Sequence, residues 1–343
     1  MSGIIAMILY IGCYTTPEKP KGLALVDFDC ATGAMKLVET MEIDNPLYFA
    51  KSSDGKILYM NEADGLGSFA IGEDGRLTRL DAVRYGARAM CHLAVMPGDG
   101  VVTWAAYTSG EAGDERVKDG KFLGGVRHRH FGRGPDYRQA SAHCHAAVPT
   151  PDGRHYTVVD LGIDSLVTYA VGQDGAGAAV KTEPAGAGPR HLIFHPDGKH
   201  AFAVFELGSR IALYSWSEKD GFKMLDSCST LPEGFHGLNQ DAAIRFSPDG
   251  RQVIVSNRGY DSLTVFDYDL AAGKLKFKAR SVLPGSWPRD FLFLPGTDFA
   301  VVTMERSGTL VSVRYDRATG VFTPVDTLHG FHRPVAVELA VAK

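Results

Sequence analysis

An arginine and a glutamate stand near the two ends of the stretch Gly188 to Glu206, GPRHLIFHPDGKHAFAVFE. Two apolar runs flank its Pro196-Asp197-Gly198 turn, a pattern that predicts an antiparallel hairpin with Arg190 and Glu206 side by side at the open end. The guanidinium could hold a substrate carboxylate or a developing oxyanion, while the carboxylate could activate water. The simpler interpretation is a structural ion pair, which contributes about 0 to 1 kcal/mol when exposed.

Two histidines separated by one residue, His143 and His145, offer further acid–base chemistry. Alternate residues of a strand point to the same side, so the two imidazoles could chelate a metal. Because spacing fixes no third ligand, we instead predict that one histidine faces the reaction site and the other makes a backbone hydrogen bond, with no metal. One of them, or Glu206, would be the base, and Arg190 and Arg258 would bind an oxyanion or carboxylate.

Turn sequences recur along the whole chain, and they predict the elements that position these side chains. The first series has a spacing of roughly 45 to 53 residues, typical of four-stranded propeller blades. It comprises Ser53-Asp54-Gly55, Gly98-Asp99-Gly100, Pro151-Asp152-Gly153, Pro196-Asp197-Gly198, Pro248-Asp249-Gly250 and Pro295-Gly296-Thr297. A second series interleaves with it, at Thr32-Gly33, Asp74-Gly75, Asp174-Gly175, Asp220-Gly221, Ala272-Gly273 and Thr319-Gly320.

Two hairpin turns per unit, in a chain of 343 residues, predict about seven units of about 49 residues each. The expected fold is all-β: a seven-bladed β-propeller of four-stranded antiparallel blades, forming a single domain over residues 1–343. One strand is predicted at residues 335–341 and three near the start of the chain. Strands from both ends should therefore complete one blade and close the ring, which removes exposed sheet edges. An all-β sandwich is the alternative, and the regular two-turn repeat disfavours it.

The order of strands within a blade determines which residues share a face of the propeller. Both turn series lie on one face, so the segments before each first strand and after each second strand lie on the other, close to the axis. Polar and titratable side chains concentrate in those segments, which predicts a polar funnel. Beside the residues named above, the substrate-binding candidates there are His92, Asp160, His191, Gln240, Arg289 and Glu305.

The segment from Ser109 to Gln139 is the most concentrated basic feature of the chain. We recognise no turn of the second series in it, and therefore predict a long inserted loop at about residues 109–139. Arg127 and Arg129 in this loop could cover the funnel and meet an anionic substrate, with Arg138 following them. A solvated surface insertion is the alternative.

Motifs over essentially the whole chain resemble, in order, those of the seven-bladed lactonase family, which includes propeller-type 6-phosphogluconolactonases and fungal carboxy-muconate cycloisomerases. The matching stretches are Tyr10-Ile11-Gly12 with Tyr14-Thr15, Cys91-His92-Leu93-Ala94-Val95, His143-Cys144-His145, Asp160-Leu161-Gly162, Gly188-Pro189-Arg190-His191, Ser256-Asn257-Arg258-Gly259 with Asp261-Ser262, and Pro288-Arg289-Asp290-Phe291. The resemblance to the cycloisomerase branch implies a central cluster of one histidine, one glutamate and two arginines. The matching positions are His143 or His145, Glu206, Arg190 and Arg258.

The resemblance implies hydrolysis of a sugar lactone, with 6-phosphogluconolactone as the leading substrate. A carboxy-muconate-type lactonising cycloisomerase would use the same residues, and sequence does not choose between the two directions. A propeller can also serve as a non-catalytic binding scaffold, because fold alone does not fix function. A scaffold should expose an apolar patch, whereas an enzyme should gather its charges around a concave pocket.

The composition narrows the partners and the compartment. A net charge of −4 gives no global attraction to nucleic acid or an anionic membrane. The five cysteines are odd in number and scattered, as in proteins of a reducing compartment. No segment approaches the ~20 apolar residues that cross a bilayer. We predict a cytoplasmic, soluble protein that binds a small anionic substrate and needs no cofactor.

Overall fold

The computed structural model describes residues 5–87, 89–182 and 184–342, which form seven four-stranded antiparallel sheets. The first blade contains β1 (Ala6–Cys13), β2 (Leu23–Asp29), β3 (Met35–Met41) and β28 (Pro334–Ala342). The second contains β4 (Phe49–Lys51), β5 (Ile57–Glu62), β6 (Gly65–Ile71) and β7 (Leu77–Arg84), and the third contains β8 (Met90–Val95), β9 (Val101–Ala106), β10 (Glu111–Lys118) and β11 (Lys121–Arg129).

The remaining four blades follow the same order along the chain. The fourth contains β12 (Cys144–Pro149), β13 (His155–Asp160), β14 (Ser165–Ala170) and β15 (Ala178–Lys181), and the fifth contains β16 (Pro189–Phe194), β17 (His200–Phe205), β18 (Arg210–Ser217) and β19 (Gly221–Ser229). The sixth contains β20 (Gln240–Phe246), β21 (Gln252–Arg258), β22 (Ser262–Asp269) and β23 (Lys274–Val282), and the seventh contains β24 (Pro288–Phe293), β25 (Phe299–Met304), β26 (Thr309–Asp316) and β27 (Val321–His329). A 3₁₀ turn at Tyr137–Gln139 is the one helical element in these ranges.

The ring closes as predicted, with strands from both ends of the chain in one blade. β28 pairs antiparallel with β1, from Met7 opposite Ala342 to Cys13 opposite Pro334. The innermost strands β28, β4, β8, β12, β16, β20 and β24 contact one another in turn around the axis. The seven-bladed propeller is therefore confirmed. No helix in the described part of the chain is long and apolar enough to cross a membrane.

Three of the first-series turns share a local hydrogen-bonding pattern that explains their sequence. A serine or threonine two residues before the aspartate donates its hydroxyl to that carboxylate, as in Ser52 to Asp54 (2.6 Å), Thr150 to Asp152 (2.7 Å) and Ser247 to Asp249 (2.6 Å). The same aspartate accepts the backbone N–H two residues further on, and the glycine between them has a positive φ at each turn. Aspartate and glycine thus specify the turn for separate reasons.

The prediction of a long inserted loop at about residues 109–139 is wrong for most of that segment. Residues of that segment form β10 and β11, joined by the turn Asp119-Gly120, in which both residues have positive φ (50° and 76°). This turn is the seventh member of the second series, and its flanks, Lys118 and Lys121, concealed the pattern because they are charged rather than apolar. The irregular connection is limited to the residues between β11 and β12.

Blades pack face to face through apolar side chains, and successive residues of a strand contribute to the layers on its two sides, as Ile254 and Val255 do. One such layer joins the sixth and seventh blades, with Ile254, Val265, Phe291, Val302 and Val311 all fully buried. Burial of this kind contributes about 25 cal/mol per Å² of apolar surface removed from water.

A β-bulge occurs near the start of the innermost strand in most blades. In β8, β12, β16 and β24 the register shifts so that one residue has no partner opposite it: Cys91, His145, Arg190 and Arg289, respectively. β28 has the same irregularity at Val335, and β20 has one at Ala242 and Ala243. A bulge redirects a side chain from the pleated pattern. The residues at the bulges therefore form a ring that faces the axial channel, and the alternation of side chains along the strand does not predict their direction.

Candidate active site

A cavity of about 680 Å³ opens at the end of the axial channel. Its walls come from segments before first strands and after second strands, which is the face predicted to carry the funnel. Its charged lining consists of Arg138, Arg258, Arg289, Arg306, Arg333, Glu206 and Glu305, and its uncharged polar or aromatic lining includes Tyr14, Asn45, Asn61, Tyr107, His145, Gln240 and Trp287. Five arginines against two glutamates make the cavity electropositive.

Glu206 is the centre of the largest ion-pair cluster in this cavity. Its carboxylate lies 3.0 Å from Arg190 Nε, 2.7 Å from an Arg258 guanidinium nitrogen and 2.6 Å from one of Arg138. His145 Nε2 lies 3.9 Å from the same carboxylate. The side chains of Glu206, Arg190 and Arg258 are all at least 96% buried. The structure thus brings Glu206, Arg190, Arg258 and His145 together, and the Arg190–Glu206 pair is buried rather than exposed.

The electrostatics of this cluster bear on which group could act as a base. Burial alone would raise the pKa of Glu206, but Arg258 and Arg190 hold it well below the usual range. Burial and the neighbouring Arg258 lower the pKa of Arg190 to about 9, so the group remains charged at neutral pH. The carboxylate oxygens already accept from the guanidinium groups of Arg190, Arg258 and Arg138, which leaves them little capacity to accept a proton from water. Glu206 is thus better suited to hold the arginines and to stabilise a cation than to abstract a proton.

The two histidines of the β12 segment have different environments. His145, at the bulge, lines the cavity and is buried, whereas His143 stacks on Tyr107 at 4.3 Å and makes a 3.0 Å hydrogen bond through Nδ1 with the Tyr107 carbonyl. This is the predicted arrangement, in which one histidine faces the site and the other makes a hydrogen bond to the backbone. Burial, followed by Arg190, places the pKa of His145 well below its usual value, so the imidazole is neutral at pH 7.

Two clusters in the described residues have spacing that suits a metal, and neither includes His143 or His145. One is His130, Cys144 and Asp160, all buried, and the other is Asp152, His155 and Glu218 on the surface. Within the first cluster, Asp160 accepts from His130 (2.7 Å) and from the backbone N–H of His143 (2.8 Å). Asp160 was predicted to bind substrate, and that prediction is wrong: the carboxylate is fully buried and ties blades together.

His92 and His191, also predicted to bind substrate, lie beneath the cavity rather than on its wall. Their rings pack against each other at 5.6 Å, and His191 packs against His145 at 5.4 Å. A remaining space of only about 10 Å³ borders His191 and Arg190 at this depth, about enough for one water. Both imidazoles are buried and neither lines the cavity, so they form the floor that supports His145. The positions were predicted correctly, but the role was wrong.

The His92 imidazole predicts a measurable pH dependence of stability. Burial, followed by Arg190, lowers its pKa to about 3, and Nδ1 accepts the Ala147 N–H (3.3 Å). Because the unfolded chain takes up this proton near pH 6.5 and the folded chain does not, this contribution is complete above pH 6.5 and is lost as pH falls towards 3. Asparagine can accept the same hydrogen bond without titrating. When the pH is lowered from 7 to 4.5, we expect the unfolding free energy of wild type to fall by about 2 to 3 kcal/mol more than that of the His92→Asn variant.

Urea unfolding at the two pH values checks this expectation. Comparing the change within each protein cancels the constant cost of the substitution and the titration of the carboxylates. The control is His236→Asn, since His236 is exposed on a loop, and it should retain the wild-type change. An identical change in His92→Asn and wild type would contradict the assignment.

Arg127 and Arg129 do not reach the cavity, which corrects their prediction as substrate-binding residues. Both lie on β11, the outermost strand of its blade, where Arg127 pairs with Glu111 (3.0 Å) and Arg129 stacks on Phe131. The connection after β11 instead delivers Arg138 to Glu206. A capping box at Asp136 and Gln139 fixes the short turn that carries Arg138. The prediction that this segment meets the cavity is correct for Arg138 alone.

The other predicted residues line the cavity, together with several that the prediction omitted. Gln240, Arg289 and Glu305 lie where expected. Trp287, Arg306 and Arg333 line the cavity as well, although they were not among the residues predicted to bind substrate. All three lie in segments assigned to the correct face, but sequence offers no signal for which members of those segments point inward.

Comparison with known proteins agrees with this architecture. The family described as "Lactonase, 7-bladed beta-propeller" matches residues 8–339. The chain is 35% identical over 349 residues to the Bacillus subtilis (strain 168) protein named 6-phosphogluconolactonase, covering 97% of this chain and 99% of that protein. Among solved structures it resembles the Pseudomonas aeruginosa periplasmic gluconolactonase, with a TM-score of 0.88 and 26% identity over 98% of this chain and all of that one. A Lactobacillus plantarum protein has a TM-score of 0.89 at 30% identity, covering 97% of this chain and 99% of that one.

Proposed function

Because the chain belongs to the seven-bladed β-propeller lactonase family, we propose that it hydrolyses a sugar lactone, with 6-phosphogluconolactone as the leading substrate. The observation that supports this most directly is the buried cluster of Glu206, three arginines and neutral His145 in an electropositive cavity. Lactone hydrolysis requires a base for water and a cation where the carbonyl oxygen becomes negative. The cluster offers both within one site.

In the proposed reaction, His145 accepts a proton from a water molecule as that water attacks the lactone carbonyl carbon. The carbonyl oxygen becomes an oxyanion, which Arg258 and Arg138 stabilise from the cavity wall. Collapse of this intermediate breaks the bond to the ring oxygen, which takes the proton from the His145 imidazolium and leaves the open-chain acid. Glu206 stabilises the imidazolium and keeps the guanidinium groups aligned.

Arg190 has a supporting role in this scheme. It lies below Glu206, does not line the main cavity, and donates to the Ala242 carbonyl (2.8 Å) as well as to Glu206. It therefore positions the carboxylate and lowers the pKa of His145, rather than touching substrate. This refines the expectation that Arg190 itself binds the oxyanion.

A carboxy-muconate-type cycloisomerase is the second candidate, and one observation favours it. Glu206 engages three guanidinium groups where one would neutralise it, so the site has spare positive charge for a substrate carboxylate. A non-catalytic scaffold is less favoured, because the charges are concentrated around a concave cavity. We also propose a cytoplasmic location from the cysteine usage; the Pseudomonas relative is described as periplasmic.

A lactone panel assayed by proton release tests the proposal. The panel contains 6-phosphogluconolactone, gluconolactone and a carboxylated muconolactone, each corrected for spontaneous hydrolysis. We expect the sugar lactones to be turned over with a clear preference over the muconolactone. The opposite preference would favour the cycloisomerase, and a folded protein inactive on all three would remove the enzymatic proposal.

A further inference from the structure

The cavity holds a second charged cluster that the chemistry at Glu206 does not use. Glu305 follows β25 in the seventh blade, as Glu206 follows β17 in the fifth. Its buried carboxylate lies 3.0 Å from Arg289 and 2.5 Å from Arg333. The two carboxylates thus occupy equivalent positions two blades apart around the same cavity.

Aromatic rings support the arginines of this second cluster. The Tyr14 ring lies 4.2 Å from the Arg333 guanidinium carbon and 5.6 Å from that of Arg289. Arg306 stacks on Trp287 at 3.2 Å. A guanidinium stacked by its face keeps its N–H edge available for in-plane hydrogen bonds, the geometry that suits bidentate binding of oxyanions.

Arg306 differs from the other arginines of the cavity. In the described residues it has no carboxylate within ion-pair distance, and its side chain is exposed at the cavity wall. Its platform, Trp287, has a φ of +73°, which is unfavourable for a bulky side chain. The backbone N–H of Trp287 donates to the Asp261 carboxylate (2.7 Å). The backbone carbonyl of Trp287 accepts the backbone N–H of Glu305 (3.0 Å). Strain held in this way is typical of ligand-binding positions.

The charge of this second cluster matches one anionic group. Three guanidinium groups face one carboxylate, which leaves a formal surplus of two positive charges. A phosphate monoester carries about −1.5 to −2 at neutral pH and offers three acceptor oxygens. We propose that Arg306, with Arg333 and Arg289, binds the phosphate of a phosphorylated sugar lactone whose carbonyl lies at Glu206. This inference rests on the proposed function and assigns the residues that would distinguish the phosphorylated lactone from the unphosphorylated one.

The experiment compares phosphorylated and unphosphorylated forms of the same lactone in wild type and the Arg306→Ala variant. Wild type should prefer 6-phosphogluconolactone over gluconolactone in kcat/KM. Loss of a charge-assisted contact should reduce that preference about 10- to 100-fold in the variant, mostly through KM. The matched control is Arg314→Ala, because Arg314 is also an exposed arginine stacked on an aromatic ring (Phe299, 4.8 Å) but lies outside the cavity. It should retain the wild-type preference.

A binding measurement separates this inference from the proposed function. The products 6-phosphogluconate and gluconate are titrated calorimetrically into the same three proteins, which requires no turnover. Tighter binding of the phosphorylated product, lost in Arg306→Ala alone, supports the subsite even if no lactone is hydrolysed. Equal binding of both products by wild type, or an unchanged preference in Arg306→Ala, overturns it even if lactonase activity is found.

Discussion

Replacement of Glu206 by glutamine is expected to lower kcat/KM for lactone hydrolysis by about 10³- to 10⁴-fold, the scale of losing the carboxylate partner of a catalytic imidazole. Glutamine keeps the shape of the side chain but removes the charge that holds Arg138, Arg190 and Arg258 around it. It also removes the anion that would stabilise protonated His145. Steady-state kinetics of the folded variant measures the effect, and activity within tenfold of wild type would contradict the assignment.

The same variant should be less stable, and the two effects need to be separated. Removing the partner of buried charges costs about 3 to 5 kcal/mol, so circular dichroism must first establish that the assayed protein is folded. Glu62→Gln is the matched control. Glu62 is equally buried and contacts Arg79 (2.6 Å) and Arg84 (3.7 Å), but it does not line the cavity. Glu62→Gln should reduce stability less than Glu206→Gln does, because Arg79 and Arg84 are half-exposed. Its activity per folded molecule should stay near that of wild type.

The second large effect is expected at His145. His145→Gln should reduce kcat by about 10²- to 10⁴-fold with little change in KM, because general-base assistance acts on the transition state rather than on binding. His143→Gln should reduce it less than about tenfold, since His143 contacts Tyr107 and not the cavity. Equal effects of the two substitutions would contradict the distinction between them.

The pH profile adds an independent test of His145. Its pKa lies well below 6.5 because it is buried beside Arg190, and the neutral form is the one able to accept a proton. Activity should therefore stay constant as pH falls from 8 to about 6 and decline only at lower pH. A decline centred near 6.5, the ordinary histidine value, would indicate a different base.

The fold was largely predictable because its signals are local. Aspartate and glycine form the same turn wherever they recur, and their interval gives the blade length without knowledge of tertiary contacts. The order of strands then determines which segments share a face, and this placed Gln240, Arg289 and Glu305 correctly. The seventh turn, at Asp119-Gly120, was missed because the lysines beside it obscured the apolar flanks on which recognition depended.

The roles of individual residues within the site were less predictable, for two physical reasons. Alternation along a strand does not survive a bulge, so spacing could not decide between His143 and His145. The sequence also does not indicate how deep in the channel a side chain lies. Arg190, His191 and Arg289 occupy similar positions in the repeat, yet Arg289 lines the cavity and His191 lies beneath it. Arg138 was predicted only as part of a basic segment, without its contact to Glu206, because a connection rather than a strand carries it.

Ring closure also has a consequence for the time at which the site is completed. Tyr14 donates its backbone N–H to the Arg333 carbonyl at the point where β1 meets β28. A ribosome adding about 5 to 20 residues per second makes β28 roughly 15 to 65 seconds after β1. Throughout that interval the apolar strand β1, AMILYIGC, lacks its inner neighbour and presents an open edge. Nascent chains should thus be vulnerable to misassociation until β28 emerges, and the Glu305 cluster should be among the last parts of the molecule to form.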